Sequence, residues 1–151
     1  MTYTAIRCRI GRTNETSSAT MHLKPLSEDI ESRRPVWQAL SDLFLDTDTS
    51  LSREWRVQEL SKSPYSIEEL EEILVTEVYP ACCGNLLSIA GEWAGFDMEW
   101  LEGKIQSRAN SSLKVLHAFN LGRFTVHVSP EWRATKRAVQ ASRAEAQHGA
   151  A

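Results

Sequence analysis

From Ser63 to Pro80 the chain reads SPYSIEELEEILVTEVYP, and this stretch constrains the fold more than any other. Ser66 and Glu69 have the capping-box spacing, in which a serine hydroxyl accepts the N3 backbone N–H while the glutamate reaches back to the cap N–H. Tyr65 just before the cap and Leu70 at the fourth helical position form the pair that staples an incoming chain to its first turn. Two independent signals therefore set one helix start. Ile67, Leu70, Ile73, Leu74 and Val78 make an apolar stripe, and Glu68, Glu71 and Glu72 share the outer face. Such a helix must bury its stripe against other elements, and Pro80 and Gly84 predict its end.

The neighbouring segments supply helical partners. In RRPVWQALSDLFL, Pro35 suits a first helical turn, where its missing N–H would be unpaired anyway. Ser27–Arg33 adds a preceding turn, with Arg34 pushed away from helical angles by the proline. Trp37, Leu40 and Phe44 share one face. DTDTSLS is a turn rich in capping residues, after which Ser52 caps REWRVQELSK with Trp55 and Leu60 facing inward. Asp97 caps MEWLEGKIQSR, with Phe96 stapling onto Leu101 and an inner stripe of Trp100, Leu101 and Ile105. NLLSIAGEW reads as a short buried helical segment, with Gly91 and Gly95 allowing the chain to turn. Ser129, Pro130 and Glu131 open a last helix whose alanine-rich end is expected to fray.

The fold expected is mainly α, a compact bundle of about five helices. Residues 113–128 stay open between helical spacing and one short β-hairpin turning at NLG. Residues 1–26 read as a tail, or as an upstream extension if translation begins at Met21; residues 27–140 form a single helical domain and 141–151 a frayed end.

At 151 residues the chain has room for one core, and its 42% hydrophobic and 25% charged content is that of an ordinary globular protein. No stretch approaches the ~20 apolar residues that span a bilayer. Arg7, Arg9 and Arg12 interrupt any secretory signal, and the odd cysteine set of Cys8, Cys82 and Cys83 is no disulfide framework. A cytoplasmic location is the expectation.

Few catalytic patterns survive inspection. Asp46–Ser50 begins like a calcium loop, but Leu51 stands where glycine is needed and Val57 where a bidentate glutamate is needed. His22, His117, His127 and His148 lack zinc spacing, and no cofactor is expected. There is no nucleophile elbow and no phosphate-cradling glycine loop. Glu92 beside Trp93, or Asp97, with His117 or His127 would be the acid and base of a small enzyme.

Charge is uneven. Residues 27–105 carry six Lys/Arg against seventeen Asp/Glu, whereas both ends are basic. Arg133, Lys136, Arg137 and Arg143, with Trp132 and Arg123 nearby, could meet phosphates, but the acidic body opposes nucleic acid. Five tryptophans, of which Trp37 and Trp100 are expected in the core, favour a protein partner instead. The candidate contact residues are Trp55, Glu68, Glu71, Glu72, Glu92 and Trp93. One concrete form is an immunity-type inhibitor whose acidic face blocks a basic toxin.

RRPVWQALSDLFLDT, SPYSIEELEEIL and NLLSIAGEWAGFDMEWLEGKI, taken together, resemble a family of small proteobacterial proteins of unknown function. The resemblance covers roughly residues 33–108. It implies a compact, mainly helical bacterial domain and assigns no catalytic residue.

Overall fold

The computed structural model describes residues 23–84, 94–109 and 128–149. The protein is mainly α-helical, with five helical rods and no strand among the described residues. A short 3-10 turn at Leu26–Glu28 leads into α1 (Ile30–Ser41), which tightens into a second 3-10 turn at Asp42–Phe44. α2 (Arg53–Lys62) follows the Asp48 turn. α3 (Ile67–Ile73), a π-helical turn (Leu74–Val78) and α4 (Tyr79–Cys82) form one uninterrupted rod. α5 (Met98–Ala109) and α6 (Ser129–Gly149) complete the described elements.

The predicted starts hold where local hydrogen bonds dictate them. Ser66 and Glu69 make both halves of the capping box, at 3.1 and 2.7 Å. Asp97 Oδ1 accepts the Trp100 N–H at 2.8 Å, and α6 opens at Ser129 as expected. Gly95 has φ +129°, a backbone region in which an L side chain is strained, so the chain turns there at no cost in sterics. Asp48 Oδ1 accepts both the backbone N–H and the hydroxyl of Ser50, so DTDTS is a side-chain-closed turn.

Two prolines depart from expectation. α1 begins at Ile30 and runs through Arg34 and Pro35. The Asp29 carbonyl accepts the Arg33 N–H at 3.1 Å, which closes the first turn ahead of the proline. Pro35 then frees only the Glu31 carbonyl, and both residues are exposed, so solvent can satisfy it. Pro80 does not end the third rod either. It sits at the start of α4, directly after the π-helical turn, whose wider spacing lets the ring clear the preceding turn.

Trp37, Leu40, Leu60, Leu70, Ile73, Leu74, Leu101 and Val139 are wholly inaccessible and come from every long rod. α6 packs most extensively on α2, and α2 on α1. α1 also meets the π-helical turn and α5, which packs on α4. Phe44 and Tyr79 join the 3-10 turn to α4 with ring centroids 5.9 Å apart. α6 continues through the alanine-rich stretch to Gly149, because Arg143 is tied to the end of α2 rather than left in solvent. Residues 1–22, the segment 85–93 with Gly91, and the open helix-or-hairpin reading of 113–127 lie outside the described residues.

Candidate functional site

Two buried arginines organise the polar interior. Arg56 on α2 is inaccessible to solvent. It pairs with Asp42 at the end of α1 and, at 2.5 Å, with Glu131 at the start of α6. Its Nε donates to Thr135 at 3.1 Å and Nη2 to the Thr49 carbonyl at 3.2 Å. Glu131 also takes a two-pronged contact from Arg53, at 2.7 and 2.6 Å. That contact, opposed by burial and helped by Arg56, holds the Glu131 carboxyl below its usual range. Ser52 stands in the cap position of α2 but turns its one hydroxyl proton toward Asp42, with the Thr49 carbonyl as the alternative acceptor at 3.1 Å, so the expected serine cap is not made.

Arg33 on α1 is the second hub. It donates to Asp29 at 3.4 Å, to Glu77, and to the Lys24 carbonyl at 2.6 Å. The other Glu77 oxygen accepts the Trp37 indole N–H at 2.7 Å, and Tyr65 donates its hydroxyl to Asp29 at 2.7 Å. Burial raises the Glu77 carboxyl above its ordinary value despite Trp37 and Arg33. Burial pushes Asp29 the same way, but the Tyr65 hydroxyl, Arg33 and Lys24 together hold it low.

Above the Arg33–Glu77 pair lies a cleft of about 490 Å³ between the first 3-10 turn, the π-helical turn and α5. Leu23, Leu26, Val75 and Ile105 give it apolar walls, and Lys24, Glu72 and Arg108 bring charge to it. π-Helical turns occur often at functional sites, and this one places Glu77 against Arg33 and Trp37.

The family model described as a domain of unknown function, DUF7079, matches residues 31–138, which is most of the chain. The chain belongs to the DUF7079 family. No curated protein and no solved structure matches it.

Within the DUF7079 domain the described candidate contact residues, Trp55, Glu68, Glu71 and Glu72, differ in their surroundings. Trp55 is 42% exposed, and the adjoining Leu51 is 83% exposed. Trp55 therefore faces outward, and only Leu60 of the expected pair points into the core. Glu68 and Glu72 are exposed, with Glu72 at the cleft, while Glu71 is engaged by Lys136 at 2.9 Å. Glu92 and Trp93 lie outside the described residues, as do His117 and His127.

Trp100 departs from the core position expected of it. It is 43% exposed rather than core; Phe96 stacks on it at 5.6 Å and Lys104 lies over its ring. Trp132 is buried, as Trp37 is. Among the basic residues of α6, Lys136 is paired with Glu71 and Arg143 caps α2, which leaves Arg133 and Arg137 exposed.

Asp97 is occupied as a helix cap. Cys82 and Cys83 are free thiols, both raised by burial. No group of three His, Cys, Asp or Glu among the described residues could hold a metal, and no described helix is long and apolar enough to cross a membrane.

The hub residues escaped sequence reading. Asp29 and Arg33 have helical i, i+4 spacing, which was a usable signal. Glu77 and Glu131 had none, since their arginines lie 44 and 75 residues away.

Proposed function

We propose that this DUF7079 domain is a cytoplasmic, non-enzymatic protein-binding module that docks its partner on the outer face of α2. The observation that carries this reading is the exposure of Trp55 and Leu51 together, a large aromatic and an aliphatic side chain left uncovered at the start of one helix. Tryptophan supplies a large apolar contact at small entropic cost and dominates many interfaces. Glu54, exposed between them, adds acidic character. The buried ionic groups also support binding over catalysis: Arg33, Arg56 and Glu131 spend their charges on one another's networks, and both Glu77 oxygens are already engaged.

The more specific form is an immunity-type inhibitor. The excess of acids between residues 27 and 105 would speed encounter with a basic toxin and favour it over other partners. Full-length protein used as bait in a lysate of its own host, at low and physiological salt, is expected to retain a partner. Trp55→Ala and Leu51→Ser should lose it while keeping the wild-type circular dichroism spectrum. Recovery of nothing beyond the chain itself, or equal recovery by the variants, defeats the reading. For the inhibitor form, the product of the adjacent gene should kill cells unless this protein is co-expressed.

A further inference from the structure

The cleft over the π-helical turn is separate from the α2 face, and its chemistry differs. Its floor is electrostatically closed: the Arg33 donors go to Asp29, Glu77 and the Lys24 carbonyl, and Glu77 is held by Arg33 and Trp37. The Thr76 hydroxyl donates back to the Glu72 carbonyl at 2.8 Å. Three charged groups remain to address a visitor, namely Lys24, Arg108 and Glu72. None makes an ion pair or a side-chain hydrogen bond among the described residues, although Lys24 also acts on the Asp29 carboxylate and Glu72 on that of Glu77. Two cations against one carboxylate leave a positive surplus over apolar walls, in a protein whose central sequence is strongly acidic. The bond from Arg33 to the Lys24 carbonyl fixes the backbone that carries Lys24, so one cation is mounted on a rigid edge. The volume falls in the ~300–1,000 Å³ range of small-molecule sites.

The geometry points to a binding site for a small amphipathic anion, an oxyanion headgroup held by Lys24 and Arg108 with a short apolar body laid along Leu26, Val75 and Ile105. Carboxylate and phosphate monoester share this chemistry, since a guanidinium can meet either with paired N–H donors.

The test titrates isotopically labelled full-length protein with octanoate, octyl phosphate and octanol, and follows the amides of Val75, Thr76 and Ile105 by NMR. At least one anion should shift these signals saturably, and the tighter of the two names the headgroup. Arg108→Glu and Lys24→Glu, both at exposed positions, should each weaken that anion about tenfold or more, and Arg108→Glu should do so without moving the thermal midpoint. Octanol should bind weaker than the preferred anion by a similar factor. No shift with either anion up to about 10 mM, equal affinity for octanol, or indifference to both charge reversals overturns the assignment.

Discussion

Arg56 and Glu131 meet at 2.5 Å across the α2–α6 interface, with the guanidinium wholly inaccessible and only Asp42 as its second carboxylate. Burial disfavours the charged arginine, and both carboxylates oppose that. A buried ion pair contributes little beyond a good apolar fit, yet removal of one partner strands a charge. Glu131→Ala is therefore expected to lower the unfolding free energy by about 3 kcal/mol, read from the urea midpoint at unchanged slope. A loss below about 0.5 kcal/mol would show that Asp42 alone satisfies Arg56.

Acid should destabilise the protein through the same carboxylates. Asp29 and Glu131 are held below their ordinary values of 3.8 and 4.5, so their contributions are complete above those values and disappear as pH falls through the depressed ones. Glu77 is raised and has the opposite sign: it favours the fold at low pH and that contribution fades as pH climbs past 4.5 toward its folded value. Asp29→Asn should accordingly flatten the acid limb of stability, measured by chemical denaturation at successive pH values. An unchanged acid limb would remove Asp29 from the account.

The tryptophans should separate by variant. Trp37 is inaccessible and hydrogen-bonded to Glu77, so Trp37→Ala is expected to cost about 3–5 kcal/mol. Trp55→Ala should shift stability by no more than about 0.5 kcal/mol, since that ring meets solvent. Thermal melts of the two variants decide this; a large loss at Trp55 would make it structural.

Arg143 should protect the end of α2. Its guanidinium donates to the carbonyls of Leu60, Ser61, Ser63 and Tyr65 at 2.7 to 3.3 Å, at the end of α2 and in the turn that follows it. Arg143→Ala is expected to lower stability by about 1.5–3 kcal/mol and speed amide exchange in the last turn of α2 before that in α1. Uniform exchange along both helices would place the effect elsewhere.

The helical architecture was readable because its signals are local. The Ser66–Glu69 box, the Asp97 cap and the Trp37, Leu40, Phe44 stripe each depend on residues within two turns of one another. The candidate surface was readable only in part. Trp55 was singled out, but for its residue type, and its exposure follows from α2 burying Arg56 and Leu60 instead. Trp100 and Trp132 could not be told apart by pattern, since a ring of that size fits either a core or a stacked edge.

By itself the sequence determined where the chain becomes helical and which stripes must be buried, because capping hydrogen bonds and apolar periodicity act over a few residues. Tertiary structure alone decided that Arg33 meets Glu77, that Arg56 meets Glu131, and that the third rod carries Pro80 through a π-helical turn. Those outcomes depend on which rods lie side by side. Charge pairing in a desolvated interior is set by that adjacency, and sequence spacing holds no record of it.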